Sequence, residues 1–419
     1  GQAVASPASM TAAWLTDVRD LGRMAYDHEL VTLSGIDASK LAPLVATGSV
    51  VGTVRPAVAA QLGLPEGVAV IAGTTDLVTA TVGSGATGDY EAHFAVSTTT
   101  WISCPVPGKK TDVLHSIATV PGLRPDRYLL ANNHETAGLC LAWVRDELLG
   151  GSFDELTALA ATAAPGAGGV VFTPWLSGLR SPVDDRLARA GWHNLSLRTT
   201  RADLVRAVLE GVACQTRWLH EHVESFVGRR LDPVRFIGGG AVSDLWCQVH
   251  ADIMGRRVER VVEPMTAQLR GAALVAGMAV GALTIDEAAD AVAVERTFVP
   301  DPATRAAHTL QASVTIEQAG ALTMGGVPFT GVRVDAAYDA GTQTLTLRQL
   351  NLARLAQERS YRLTLAAEDD GQPKPGTITT GSVPGIDMTL AFGSAGYTGL
   401  HRDGDVGADL EQLRRDLLY

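Results

Sequence analysis

The sequence has no apolar run long enough to cross a lipid bilayer. Its best candidate, residues 271–283, holds 13 mostly small residues, whereas a spanning helix needs ~20. Cysteine is scarce as well: Cys104, Cys140, Cys214 and Cys247 are scattered without C-x-x-C spacing, so neither a disulfide framework nor a zinc site is indicated. These absences predict a cytoplasmic protein with no membrane partner.

Charged residues are also sparse, and they lean acidic. They make up 19% of the 419 residues, below the ~25% typical of soluble domains. The net charge of −11 disfavours a phosphate backbone as a ligand, so we expect no nucleic-acid partner. Apolar residues, by contrast, reach 46% of the chain, enough for the buried cores of two or three domains.

Strand-like and helical patterns alternate from residue 97 onward, which is typical of an α/β fold. The helical patterns cover residues 137–149, 153–161, 201–227 and 245–254, and a strand is predicted over 234–237. Residues 68–72 are wholly apolar, which predicts a strand covered on both faces. After about residue 309 a period-two alternation at 332–334, 344–347 and 361–365 predicts a β-rich extension.

Asp76 comes just after the apolar run at 68–72, at the place where open α/β sheets hold ligands. A carboxylate there could accept a proton from a substrate hydroxyl, as aspartates do in phosphoryl transfer to alcohols. It could equally cap the helix that follows, and spacing alone favours the cap.

Three further segments are ligand-binding candidates. Gly238-Gly239-Gly240 lies between a predicted strand and a helix and favours close approach of a ligand to the backbone. The Ser97–Thr100 segment could be a phosphate-holding turn or a threonine-rich strand, and spacing does not decide between them. Residues 83–88 match G-x-G-x-x-G, but they follow a helix rather than a strand, so a nicotinamide-dependent oxidoreductase is disfavoured.

Several segments together resemble the FGGY carbohydrate kinases, the family of xylulokinase and glycerol kinase. They are residues 174–182, 190–210, 236–255 and 271–281. The segment 190–210 is similar to the family's second signature, with Asn194 where that signature has glycine. Leu179 stands where the family's loop at 174–182 has an acid.

The resemblance implies a fold, a reaction and a division of the chain. The fold would be α/β, an actin-like ATPase (ribonuclease H-like) domain with part of a second one, plus a β-rich C-terminal extension. Residues 1–90 would end the N-terminal domain, 91–307 would form the C-terminal nucleotide-binding domain, and 308–419 would be the extension. The reaction would be xylulokinase-like phosphorylation of a sugar or polyol by ATP with Mg²⁺.

The resemblance also assigns residues, one by one. Asp76 matches the catalytic base and Thr98 the threonine of a phosphate hairpin. Nucleotide contacts fall on Gly138, Gly239, Gly240 and Asp244, and no residue is assigned to a metal. Three differences from the family accompany these matches: Leu77 replaces an amide that contacts substrate, Ser97 and Thr100 replace glycines that flank the hairpin, and Asp244 replaces a frequent asparagine.

Family members begin with a first phosphate loop and an acidic residue near magnesium, and neither is found in this sequence. We therefore expect weak or absent activity from this chain alone. The alternative is a non-catalytic remnant that binds a nucleotide or a partner. The expected small-molecule partners are ATP and a sugar or polyol, and a homodimer is left open.

Overall fold

The computed structural model describes residues 3–307 and, beyond them, the backbone of strand segments between residues 311 and 401. A short π-helical turn, Val144–Leu149, directly follows the helix Gly138–Trp143, called α4 below. The helices are α1 (His28–Ser34), α2 (Pro56–Leu62), α3 (Asp76–Ser84), α4 (Gly138–Trp143), α5 (Phe153–Ala161), α6 (Arg201–Val227), α7 (Asp244–Met254), α8 (Ala267–Ala279), α9 (Ile285–Asp290) and α10 (Pro302–Ala307).

Strands precede and separate these helices. Up to residue 307 they are β1 (Thr16–Asp17), β2 (Ala25–Tyr26), β3 (Val50–Thr53), β4 (Ala69–Ile71), β5 (Ala92–Val96), β6 (Thr100–Ser103), β7 (Pro105–Val106), β8 (Thr111–Asp112), β9 (Ile117–Pro121), β10 (Tyr128–Ala131), β11 (Val171–Thr173), β12 (Gly191–His193), β13 (Val234–Ile237), β14 (Val258–Val261) and β15 (Val294–Phe298).

A five-stranded mixed sheet of order β15-β14-β13-β5-β6 lies at the centre. β13 runs parallel to both β14 and β5, and the two outer pairs are antiparallel. Alternate residues of a strand face opposite sides of its sheet: Phe94 and Phe236 stack with ring centroids 4.1 Å apart within the cluster that includes α6 and α7. Ala95 and Ile237 pack on the other side with α3 and α8. The predicted α/β architecture is confirmed as helices on both faces of one sheet.

The long helices follow the sequence pattern closely. α5 and α6 cover the predicted ranges, and α4 with its π-helical turn covers most of residues 137–149. α6 begins at a capping box: the Thr200 hydroxyl accepts from the Asp203 N–H, and the Asp203 carboxylate accepts from the Thr200 N–H. Such reciprocal bonds satisfy two N–H groups that a helix start leaves free. None of the helices in the described part of the chain is both long enough and apolar enough to cross a membrane.

Two glycines allow α3 and α8 to cross in van der Waals contact. A methyl group at position 83 would lie 1.7 Å from the Ala267 carbonyl oxygen, and one at position 271 would lie 1.8 Å from the Thr79 carbonyl oxygen. The two helices therefore run antiparallel. Arg270 fastens the crossing, since its guanidinium donates to the Gly83 carbonyl at 2.7 Å.

The strand predicted over 68–72 forms, but its expected cover on both faces is wrong. β4 pairs antiparallel with β3, and in the described chain no further strand joins this pair. Val70 keeps 41% of its surface exposed, so the described chain leaves the face with Val70 largely open.

Beyond residue 307 the backbone is β-rich, as the alternation predicts. The strands are β16 (Gln311–Gln318), β17 (Leu322–Met324), β18 (Val327–Phe329), β19 (Val332–Asp339), β20 (Thr344–Arg348), β21 (Tyr361–Ala367), β22 (Asp387–Met388) and β23 (Leu400–His401). Four of them form an antiparallel sheet of order β20-β19-β16-β21. The segment Asp369-Asp370-Gly371, whose composition also predicts a turn, lies outside the described residues.

Candidate active site

Helix α3 places Asp76 at the carboxyl end of the central sheet. At the far end of this helix, the Ser84 carbonyl accepts a hydrogen bond of 2.7 Å from Arg235, which lies near the start of β13. Ala80, one turn after Asp76, packs with Ala95 and Ile237 near the ends of β5 and β13. α3 therefore runs opposite to β13, and its first residue lies beyond the carboxyl ends of both strands.

The carboxylate of Asp76 is exposed, and no described residue donates a hydrogen bond to it. The N-cap of α3 is Thr75, whose hydroxyl accepts from the Val78 N–H at 3.4 Å. The cap interpretation of Asp76, which spacing alone favours, is therefore wrong. Asp76 is the first helical residue, and its acceptor oxygens are free for a ligand.

The side chain of Leu77 points into the protein, unlike that of the exposed Asp76. It packs against a small apolar cluster with Ala8, Val120 and Leu129. A leucine at this position therefore contributes to the core between the N-terminal segment and β9–β10, and it leaves substrate contacts to other residues.

The turn between β5 and β6 lies against the start of α4. The Thr98 carbonyl accepts from the Ala137 N–H at 2.9 Å, and the Ser97 carbonyl accepts from the Gly138 N–H at 2.7 Å. A methyl group at position 138 would lie 2.3 Å from the Ser97 oxygen, so this contact requires glycine. The structure thus brings Thr98 and Gly138 together.

Thr98 is exposed, and within the described chain its hydroxyl and its N–H have no hydrogen-bond partner. Thr100, by contrast, is fully buried, and its hydroxyl donates to the Ala95 carbonyl at 2.7 Å. Thr100 therefore lies inside the fold and does not crowd the turn, although it replaces a glycine of the family pattern. The turn presents Ser97 and Thr98 to solvent.

His134 holds the strand after the turn at 97–99 in place through two hydrogen bonds. Its backbone N–H donates to the Thr100 carbonyl at 2.8 Å, and its ring Nε2 lies 2.9 Å from the Gln215 carbonyl. Burial lowers the pKa of His134 to about 4. The ring is therefore neutral near pH 7 and serves as a structural hydrogen-bond donor.

The three glycines after β13 differ in what surrounds them. A methyl group at Gly238 would lie 2.7 Å from the Val96 carbonyl oxygen, and one at Gly240 would lie 2.8 Å from the Val96 side chain. Gly239 is exposed, and a methyl group there would meet nothing within 4 Å. Packing against the end of β5 thus explains two glycines, and Gly239 alone borders open space.

Asp244 begins α7, and it is paired with two arginines. Its carboxylate lies 2.5 Å from Arg260 and also bonds Arg296. The acid that replaces the family's frequent asparagine is therefore neutralised locally. Sequence reasoning missed both arginines, because they come from β14 and β15 and no local spacing relates them to Asp244.

Asp76, the turn at 97–99 and the turn at 238–240 thus lie at one end of the central sheet. β5 and β13 are adjacent parallel strands, so the turns that follow them are neighbours, and Val96 contacts the glycine turn directly. The arrangement presents an unpartnered carboxylate, an exposed hydroxyl and an open glycine on the same edge, where α/β sheets bind ligands.

Two family models match the chain. The C-terminal domain of the FGGY family of carbohydrate kinases matches residues 68–280, and the N-terminal domain of that family matches residues 6–83.

Curated relatives are sugar and polyol kinases. A xylulose kinase from Staphylococcus epidermidis is 31% identical over 264 residues, which are 62% of this chain and 52% of that protein. A glycerol kinase from Haemophilus influenzae is 38% identical over 46% of this chain and 38% of its own length. The chain spans about half the length of the curated relatives it matches.

Solved structures share the fold. The ligand-bound xylulose kinase of Lactobacillus acidophilus superposes with a TM-score of 0.66 at 22% identity, over 73% of this chain and 62% of that one. The xylulose kinase of Rhodospirillum rubrum gives 0.61 at 27% identity, over 73% and 61%. These neighbours confirm the expected fold class. With a family model that matches half of its residues, the chain belongs to the FGGY family of carbohydrate kinases.

Proposed function

We propose that this chain takes part in ATP-dependent phosphorylation of a sugar or polyol hydroxyl, in the manner of a xylulokinase. The observation that carries the proposal is the placement of Asp76, the turn at 97–99 and the turn at 238–240 at one end of the central sheet. Phosphoryl transfer needs positioning and charge stabilisation more than covalent chemistry, and these are what such an edge supplies.

In this proposal the nucleotide lies along the two turns. Adenosine would rest on Gly239, next to the buried Gly240 and near Asp244. The negative charge of Asp244 is offset by Arg260 and Arg296. The free hydroxyl and N–H of Thr98 would donate to phosphate oxygens. Gly138 would contribute through its close approach to the turn, since its own N–H already bonds Ser97.

The transfer step would be an in-line displacement. The acceptor hydroxyl oxygen forms a bond to the γ-phosphorus, the bond from that phosphorus to the β–γ bridging oxygen breaks, and ADP leaves with that electron pair. The hydroxyl proton passes to the Asp76 carboxylate, which no described residue occupies. This is general base catalysis, typically worth about 10²–10⁴-fold in rate.

Mg²⁺ enters as part of the substrate MgATP, because Mg²⁺ is commonly held by substrate phosphates and one or two carboxylates. In the described part of the chain, no group of three or more His, Cys, Asp or Glu side chains could hold a metal ion.

The proposal also includes the domain boundaries near residues 90 and 307 and a cytoplasmic location. Four free cysteines are compatible with a reducing compartment.

The experiment measures MgATP binding and ADP release separately, with xylulose, glycerol and gluconate as acceptors. Asp76→Asn keeps the size of the side chain and removes the base, so we expect ADP release to fall by about 10²-fold or more while MgATP affinity stays within about twofold. The matched control is Asp154→Asn, which removes an exposed carboxylate from the first turn of α5 and should change neither quantity.

Three results would count against the proposal. ADP release that survives Asp76→Asn would remove Asp76 from the role of base. A chain that does not bind MgATP at all would contradict the nucleotide site, whereas binding without release of ADP for any acceptor would favour the non-catalytic alternative.

A further inference from the structure

The loop after β11 brings two arginines to one glutamate. The guanidinium groups of Arg180 and Arg186 lie 3.7 Å and 3.5 Å from the same carboxylate oxygen of Glu135. Arg186 has a second carboxylate partner, because its Nε donates to Asp184 at 2.9 Å. In the part of the chain that the structure describes, the guanidinium of Arg180 has no ionic partner besides Glu135. Arg180 is therefore the more loosely held of the two cations.

Glu135 lies beside the turn between β5 and β6. The backbone N–H of the residue before it donates to the Thr100 carbonyl at 2.8 Å, and the N–H of the second residue after it donates to the Thr98 carbonyl at 2.9 Å. Thr98 is also the residue whose hydroxyl and N–H would donate to phosphate oxygens in the proposed function. The carboxylate that Arg180 faces thus borders the place proposed for the phosphates.

The backbone around Arg180 is fixed, whereas its side chain is accessible. Leu179 is 3% exposed and exchanges two backbone hydrogen bonds with Asp185, at 2.6 Å and 3.2 Å. Ser181 is fully buried, and its hydroxyl donates to the His115 carbonyl at 2.8 Å. The Arg180 side chain between them keeps 50% of its surface exposed. A cation on such a rigid base is well placed to bind a ligand.

Phosphate is a better partner for this arginine than Glu135 is. A half-exposed ion pair of this length contributes little to stability, whereas a guanidinium can make two parallel, charge-assisted hydrogen bonds to one phosphate group. Phosphoryl transfer also depends on positive charge near the transferred group. We propose that Arg180 binds the terminal phosphates of the nucleotide and that Glu135 competes with those phosphates for its guanidinium. This inference rests on the proposed function.

The experiment compares Arg180→Gln with the parent chain. We expect MgATP affinity to fall by about tenfold or more, which is the value of a hydrogen bond to a charged group. Affinity for AMP, which lacks the terminal phosphates, should stay within about twofold. ADP release at saturating MgATP should fall by about tenfold or more, because less positive charge would face the transferred group. Calorimetric and NMR titrations measure the two affinities, and thermal unfolding should be unchanged.

Matched variants separate phosphate binding from a structural role. Arg189→Gln removes an exposed cation of the same loop, whose guanidinium donates to the carbonyls of Arg186 and Ala188, and it should have no effect. Arg180→Lys keeps the charge but not the planar fork, so its MgATP affinity should lie between those of the parent and of Arg180→Gln. Glu135→Gln removes the competing carboxylate and its repulsion of phosphates, so it should tighten MgATP binding by about twofold or more.

The outcomes for Arg180 and for the proposed function are distinguishable. If the parent and Arg180→Gln bind MgATP equally well, Arg180 is not a phosphate ligand, and the nucleotide site itself still stands. If Arg180→Gln and Glu135→Gln weaken binding equally, their ion pair serves only to link the loop to the turn, and the role given to Arg180 is wrong. A parent chain that does not bind MgATP would contradict the proposed function and, with it, this role.

Discussion

At the scale of single residues, Gly239 offers a sharp test of where the nucleotide lies. It is the glycine of its turn that borders open space, so a larger side chain can be added there without a clash inside the protein. We expect Gly239→Leu to leave the unfolding temperature nearly unchanged and to weaken MgATP binding by about tenfold or more, because the side chain would fill space that the proposal gives to adenosine. Titration calorimetry with MgATP measures the effect.

Gly108→Leu is the control for this prediction. Gly108 is likewise exposed with open space around it, but it follows β7, away from the two turns. Should Gly239→Leu bind MgATP as tightly as Gly108→Leu does, the adenosine does not rest on this turn.

Individual positions also show where sequence reasoning reached its limit. Asn194 has φ of +63°, the left-handed conformation that glycine adopts freely and asparagine tolerates, so its replacement of the signature glycine preserves the turn. By contrast, the pairing of Asp244 with Arg260 and Arg296 could not be predicted, because it depends on three segments that only the folded sheet brings together.

At the scale of elements, the crossing of α3 and α8 controls where the proposed base lies. We expect Gly271→Ala to lower the free energy of unfolding by about 1–3 kcal/mol, because its methyl group would overlap the Thr79 carbonyl and force the helices apart. Since Asp76 begins α3, ADP release should fall more than MgATP affinity does. Urea unfolding and the two activity assays measure these effects.

Gly277→Ala provides the comparison within the same helix. A methyl group at position 277 would meet mainly the end of the flexible Leu283 side chain, so its cost in stability should be small. Alanine favours a helix more than glycine does, so helix propensity alone would make both variants more stable. Equal losses for the two variants would mean that the crossing does not set the requirement for glycine at position 271.

Elements were predictable where local chemistry decides them. α6 has a capping box and apolar residues at helical spacing, and both signals are contained in its own sequence. The cover of β4 was not predictable in the same way, because an apolar run indicates that a strand is suited to burial but not which elements pack against it. The identity of the cap of α3, Thr75 rather than Asp76, likewise depends on backbone angles that spacing does not specify.

At the scale of the whole molecule, buried neutral histidines should make the described part of the chain sensitive to acid. His93, His134, His220 and His250 are each at most 1% exposed. Burial lowers the pKa of His93 to about 3, with the charge of Arg235 as a lesser cause, and lowers the pKa of the other three to about 4. The unfolded chain, in which histidine titrates near 6.5, therefore binds these protons first as the pH falls.

The free energy of unfolding should accordingly reach its full value above about pH 6.5 and decrease as the pH falls toward 4. Each such histidine should contribute a decrease of about 1.4 kcal/mol per pH unit. His93→Leu tests this, because no described group bonds either ring nitrogen of His93 and the substitution breaks no hydrogen bond. The free energy of unfolding of His93→Leu minus that of the parent should therefore be about 2 kcal/mol larger at pH 5 than at pH 7.5. Urea unfolding across this pH range measures it, with exposed His193→Leu as the control. A pH dependence that His93→Leu leaves as steep as the parent's would show that the acid sensitivity arises elsewhere, most directly from the carboxylates that pair with arginines.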